Sequence, residues 1–332
     1  MMKRLTVLIA LAAMAWSGFW LAGYWGLSKG IPAWFEARQN DGWVAEYNDL
    51  SLRGFPSRLD STLTNVTLAD PDTSVAWDAP FFQIFALTYR PHHVIAVWPN
   101  TQTVSTPTEK LTINTADMRA SLILEPGTDL TLARSNLAID GLAISSSQAW
   151  ELLANAVNIA MHRQEDNPTR YRLAFQADEF APTAMLNLPA DLDLPRSFSS
   201  FQADLTAEFS RPWDRSAIEQ DRPQPVALDL TLAEVIWGDL ELNAAGAVTI
   251  DRFGVPTGEI TIRAVNWRDI LQVARQSEQV PASVVDTVEQ ALGFIAGLSG
   301  NTATLDIPLT FKRGATHLGP LPIGPAPKIV LR

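Results

Sequence analysis

Few residues in this chain are suited to chemistry. Four histidines, His92, His93, His162 and His317, are the side chains whose ordinary pKa lies near neutrality. His92 and His93 are adjacent on a stretch that reads as extended. Their rings therefore point to opposite faces and would not bind one metal without local distortion. His162 follows a segment of helical spacing, where a partial positive charge suits the end of the helix dipole. Carboxylates pair twice, as Asp70 and Asp72 around Pro71, and as Asp191 and Asp193. Such pairs do acid–base work only in a desolvated cleft that separates their pKa values. Asp70-Pro71-Asp72 instead has turn composition, and Asp191 and Asp193 alternate across an extended piece. Asn65-Val66-Thr67 fits a glycosylation sequon inside a strand pattern. No His-Glu-x-x-His, Gly-x-Ser-x-Gly, phosphate loop or dinucleotide fingerprint occurs in the sequence. It contains no cysteine, which removes disulfides, thiolate zinc sites, iron–sulfur clusters and cysteine nucleophiles. The expectation is a non-enzymatic protein with no catalytic, cofactor-binding or metal-ligating residues. The enzymatic alternative is a hydrolase using His92 or His93 with a nearby carboxylate.

The elements that would carry such residues begin with a membrane segment. Leu5 to Leu27 contains no charged residue, and its polar members are Thr6 and Ser17. As a helix it spans roughly 34 Å, enough for a hydrocarbon core of about 30 Å. Lys3 and Arg4 precede it, so the positive-inside rule keeps the first residues cytoplasmic and exports the rest. Trp16, Trp20, Tyr24 and Trp25 crowd its outer half, where amphipathic rings favour the headgroup level. Ala13-Met14-Ala15 also fits a signal-peptidase site, although the apolar stretch runs a dozen residues beyond it. The domain expectation is an anchor over 1–28, a juxtamembrane helix over 29–42 with Pro32 near its start, and a β-rich domain over 43–332. That domain could comprise two halves meeting near 140–170. The placement is the inner membrane, single-pass, with the bulk of the chain in the periplasm.

Composition narrows the partners. Of 332 residues, 18% are charged and 47% hydrophobic, which excludes a wholly disordered chain. The formal net charge is −11, a field that repels phosphate backbones, so nucleic acid is not an expected partner. The exported part is more acidic still, because the anchor removes two basic residues. If it touches lipid, it should do so through an apolar surface rather than a basic patch.

Beyond Gly42 the hydrophobic period becomes two. Val44, Tyr47, Leu50 and Leu52 lead to Gly54-Phe55-Pro56, followed by Leu59, Leu63, Val66 and Leu68 among polar neighbours. Phe81 to Trp98 is a dense apolar run broken by Arg90-Pro91-His92-His93. Alternation is clean around residues 111–113, 171–175, 201–209, 226–232, 240–242 and 305–311, each reading as a strand with one buried face. Connections such as Asp251-Arg252-Phe253-Gly254 and Lys312-Arg313-Gly314 are short, as antiparallel hairpins require. The fold class is thus mainly β, a β-rich α+β protein of curved antiparallel sheet with a few packing helices. Those helices are expected at Ala149 to Met161, capped by Ser145-Ser146-Ser147, and after Asn266 or Asp269, divided by Pro281. In the later piece Val284, Val285, Val288, Leu292, Ile295 and Leu298 form one stripe. The proline-rich stretch from Gly319 to Pro327 reads as an extended cover or edge, followed by a brief strand at Ile329 to Leu331. Eight tryptophans lie beyond the anchor. Trp34 and Trp43 are expected near the interface, and Trp77, Trp98, Trp150, Trp213, Trp237 and Trp267 in the core.

Several stretches resemble the DUF2125 family of exported Gram-negative envelope proteins. They are Trp43 to Leu52 with Arg53-Gly54-Phe55-Pro56-Ser57-Arg58; Ala79-Pro80-Phe81-Phe82-Gln83; Tyr89-Arg90-Pro91-His92-His93; Arg211-Pro212-Trp213-Asp214; and the final Gly-Pro run. The resemblance brings no catalytic residues to transfer. Gly246-Ala247-Val248-Thr249-Ile250 through Gly258-Glu259-Ile260-Thr261-Ile262, with a helix after it, is similar to C-terminal units of AsmA-like proteins. That likeness implies an apolar groove and a role in lipid movement or outer-membrane assembly. The functional expectation is an anchored periplasmic protein that binds lipid or acyl chains, or assists envelope assembly. The alternative is a scaffold that binds other envelope proteins and has no lipid groove. An open trough of alternate strand residues favours lipid; helices 149–161 and 281–298 packed into that face favour the scaffold.

Overall fold

Nothing in the apolar stretch from Leu5 to Leu27 stops a helix, and the helix runs on through the polar residues beyond it to Asn40. The computed structural model describes residues 2–182, 195–276, 304–319 and 321–331, together with 285, 286, 289, 290, 292, 293 and 296. Helix α1 (Met2–Asn40) is continuous, so the expected anchor and juxtamembrane helix are one rod of 39 residues. Pro32 lies inside it rather than at a fresh start. The rod is about 58 Å long at 1.5 Å per residue, much more than a membrane needs. Its surplus packs on the sheet: Phe35 is buried with Ala45, Leu63 and Val66, and Ile31 and Trp34 join them.

The chain divides into two compact units, Met1–Ala149 and Trp150–Arg332. In the first, the alternation after Gly42 becomes β1 (Val44–Glu46), β2 (Asp49–Arg53), β3 (Arg58–Asp70), β4 (Val75–Leu87), β5 (Arg90–Val97), β6 (Thr101–Ser105), β7 (Lys110–Asn114), β8 (Asp117–Leu124) and β9 (Leu132–Ser146). The long strands β3, β4 and β9 are shared by pairs of shorter ones. β1 and β2 pair with opposite ends of β3. β6 and β5 do the same on β4, and β7 and β8 on β9. The apolar run from Phe81 to Trp98 breaks at Thr88-Tyr89, not at Arg90-Pro91-His92-His93; those four residues begin β5.

The second unit is a meander of β10 (Glu151–Arg163), β11 (Arg170–Pro182), β12 (Phe198–Phe209), β13 (Pro225–Trp237), β14 (Leu240–Ile250), β15 (Pro256–Val265), β16 (Thr304–Lys312), β17 (Ala315–Leu318) and β18 (Leu321–Pro325), each paired antiparallel with the next. Between them lie short α2 (Ser216–Glu219) and α3 (Trp267–Gln276). The register gathers the apolar residues on one face. Leu173 sits opposite Leu205, Leu205 opposite Leu230, Gly246 opposite Ile260, and Ile262 opposite Ile307. The other face carries charge pairs. Arg172 donates Nε to Asp204 Oδ1 at 2.9 Å, and Arg263 donates Nε to Asp306 Oδ1 at 2.8 Å.

The helix expected at 149–161 is a strand. Residues Leu152 to Arg163 pair along β11, and His162 stands opposite Arg172 rather than at a helix end. Alanines 154, 156 and 160 blur the alternation there and favour helix by propensity, so only the long-range partner decides. The later helical region is present in its described residues: Leu292 and Ala296 are buried with Trp267 against Ala264, Leu305 and Leu318. Pro281 and the stripe residues Val284, Val288, Ile295 and Leu298 lie outside the described residues, as do Asp191 and Asp193. The C-terminal run is an edge strand, β18, and its continuation covers the sheet, with Ala326 and Ile329 packed on Val248, Ile250 and Phe311. Ile329 to Leu331 is not a strand. Ile329 N–H donates to Gly254 O and Leu331 N–H to Gln224 Oε1, which leaves no ladder to join.

Candidate functional site

One stripe of α1 makes the junction between apolar rod and sheet. Trp16, Trp20, Gly23, Leu27 and Ile31 recur at spacings of three and four, so they share a face. That face meets the β2–β3 turn, Gly54-Phe55-Pro56-Ser57. Trp16 Nε1 donates to Pro56 O at 2.8 Å, and Trp20 Nε1 donates to Arg58 O at 2.7 Å. The Trp20 ring meets Phe55 edge-on at 5.2 Å and stacks on Tyr24 at 5.3 Å. At Gly23 a Cβ would stand 2.9 Å from Leu59 Cδ1, so the missing side chain is what permits this approach.

Between this contact and the packing at Phe35, rod and sheet leave a gap. Gly26 has nothing within 4 Å of where its Cβ would be. Beside it lies a cleft of about 340 Å³, lined by Gly23, Gly26, Leu27 and Ile31 from α1 and by Leu59, Ile84 and Val94 from β3, β4 and β5. Its volume falls within the range of about 300–1,000 Å³ typical of ligand pockets. Ser61 on β3 supplies a hydroxyl among otherwise apolar walls. Such a lining offers no group that could abstract or donate a proton usefully. It suits a hydrocarbon chain.

A second depression of about 640 Å³ lies on the polar face of β12 to β15, bordered by Arg170, Thr206, Glu208, Asp229, Thr249 and Thr257. Its cation is committed, since Arg170 reaches Glu208 at 3.0 Å and Asp166 at 3.9 Å.

The residues singled out for chemistry are dispersed. His93 Nε2 lies 2.9 Å from Ser121 Oγ on β8, and among the described residues no carboxylate bonds to His92 or His93. His162 is on β10 and His317 on β17. No group of three or more His, Asp or Glu able to hold a metal exists among the described residues. Asp70 closes its own turn, accepting from Asp72 N–H and from the Thr73 hydroxyl, each at 2.9 Å. Thr67 of the sequon donates to Asp78 Oδ1 at 2.9 Å within the sheet. Trp237 and Trp267 are core residues. The indole bonds of Trp16 and Trp20 escaped sequence reasoning. The aromatic crowding was a visible signal, but its partners lie about forty residues away.

The fold and this junction define a β-rich protein joined to one helix long and apolar enough to cross a membrane, with a mean hydropathy of 1.9 in its most apolar window. The family model described as "Uncharacterized protein conserved in bacteria (DUF2125)" matches residues 20–327, and the chain belongs to that family. The match begins at Trp20, so the helix face packed on the sheet lies almost wholly within it. No curated protein matches the chain, and no solved structure does.

Proposed function

We propose that this is a single-pass protein of the bacterial inner membrane whose β-rich part is exported to the periplasm, where it holds an acyl chain without catalysing a reaction. The observation that carries the reading is the apolar cleft between α1 and β3–β5. Counted from Leu5, Gly26 stands about 31 Å along the rod, where a hydrocarbon core of about 30 Å ends. A chain leaving the outer leaflet would meet this cleft without crossing water. Hydrophobic transfer, about 0.8 kcal/mol per CH₂ buried, supplies the affinity.

The scaffold reading has its own support in the second unit. There α3 and residues Leu292 and Ala296 cover the Ala264 and Leu305 end of the apolar face. The protein therefore fills that end itself, and the lipid role is assigned to the α1 cleft instead.

The test uses full-length protein extracted in mild detergent. Native mass spectrometry and lipid extraction should find a retained phospholipid. Gly26→Leu, which adds a branched side chain to the cleft wall, should lower retention several-fold without lowering the melting temperature. Wild-type protein that repeatedly carries no lipid, or a variant that carries as much, overturns the proposal.

A further inference from the structure

The distance along α1 at which the β2–β3 turn is bound has a consequence for where that turn sits. Lys3 and Arg4 hold the start of the span at the cytoplasmic headgroups. Measured from Leu5, Trp16 is about 16 Å along the rod and Trp20 about 22 Å, both short of the roughly 30 Å that a hydrocarbon core occupies. If the membrane ended below Trp16, only residues 5–15 would remain to cross it, about half the number required. The turn that Trp16 and Trp20 grip must then lie inside the outer leaflet. We propose that the β2–β3 turn, with Phe55 at its apex and Tyr89 of the neighbouring β4–β5 turn beside it, is inserted into the outer leaflet of the bilayer that α1 spans.

Its surface fits that solvent. Phe55 and Tyr89 are 58% and 57% exposed, and the Phe55 ring stays mostly open although Trp20 meets it edge-on. Backbone carbonyls in a leaflet need internal donors, since lipid provides none. Gly54 O accepts from Ser57 and Arg58 N–H, and Ser57 O from Thr88 N–H. Pro56 O and Arg58 O are taken by the two indoles. Behind the turns arginines outnumber carboxylates, in an otherwise acidic protein. Arg53, Arg58 and Arg90 are exposed at this end of the sheet, against Asp60, which pairs with Arg58 at 2.7 Å. Asp129 belongs to the β8–β9 loop, and Glu125 just before it continues the register in which His93 faces Ile123, so it stands about one strand spacing, roughly 5 Å, from Pro91 beside the β4–β5 turn. An aromatic apex with guanidiniums behind it matches acyl chains beneath anionic phosphates, which identifies the occupant as phospholipid rather than a protein partner.

The inference rests on α1 crossing the membrane and not on what fills the cleft. The cysteine-free chain allows single nitroxide labels, at Phe55→Cys, at Tyr89→Cys, and at Thr73→Cys in the β3–β4 turn, about 40 Å away along β3. Full-length protein is reconstituted in vesicles of phosphatidylethanolamine and phosphatidylglycerol, and resistance to a carbonate wash establishes the span. The labels at 55 and 89 should relax several-fold more with oxygen than with a water-soluble nickel chelate, and the label at 73 the reverse. If the protein washes off, both this inference and the anchoring it rests on fall. If it stays and the label at 55 meets nickel as freely as the label at 73, the inference falls alone, whatever lipid the cleft retains. Protection of that label from both reagents means a protein cover and also overturns it.

Discussion

Glycine at two positions of the β14–β15 hairpin lets the strands come closer than side chains allow. Gly246 has φ +150° and Gly258 φ +147°, and a Cβ at either would stand 2.3 Å from a backbone oxygen of the opposite strand. Backbone cannot rotate aside as a side chain can, so the cost combines a clash with a conformation that L residues avoid. Gly258→Ala should destabilise the protein by at least about 1–3 kcal/mol. At roughly 2–4 °C per kcal/mol, differential scanning calorimetry would read a fall of several degrees. Gly18→Ala, on α1 with nothing within 4 Å, should leave the melting temperature nearly unchanged. The same logic separates Gly23 from Gly26: one is needed for contact with Leu59, the other borders a void.

Strands of the second unit are tied across their polar face by arginine–carboxylate pairs. The Arg172 guanidinium, donating to Asp204, holds that carboxyl below its ordinary value, opposed by partial burial. Arg263 does the same for Asp306. A carboxyl whose folded pKa lies below its unfolded one stabilises the fold above the unfolded value and loses that contribution as pH falls through the folded one. The contribution is therefore intact at neutrality and fades below about pH 4. Replacing both carboxylates, Asp204→Asn with Asp306→Asn, should lower the melting temperature slightly at pH 7. It should also flatten its decline between about pH 4 and pH 2, as thermal melts across that range would show. An equally steep acid limb in the double variant would mean that other carboxylates govern it. Both pairs are largely solvent-exposed, so the effect at neutrality should be small and should shrink further in salt.

At the scale of the whole chain, charge and hydropathy are arranged lengthwise: two basic residues, an uncharged span, then a strongly acidic remainder. That asymmetry predicts orientation. A Lys3→Cys variant should react with a membrane-impermeant maleimide only after cells are permeabilised, whereas Thr73→Cys should react in cells whose inner membrane is intact. The opposite pattern would place the β-rich part in the cytoplasm.

The amino-acid sequence by itself determined what depends on near neighbours. The membrane-length part of the rod follows from the uncharged run of Leu5 to Leu27, and strands such as β12 and β16 from period-two alternation of large apolar and polar residues. Turns such as Asp251 to Gly254 follow from local side-chain bonds, with Asp251 Oδ1 accepting from Phe253 and Val255 N–H. Tertiary structure alone decided what depends on distant partners. β10 is a strand because β11 supplies its ladder. The cleft exists because residues of α1 and of β3, β4 and β5, far apart in the chain, meet around it. The indoles of Trp16 and Trp20 have a purpose only once the chain has returned to lay Pro56 and Arg58 beside them. Periodicity records which face of a segment avoids water, but not which other segment will cover it.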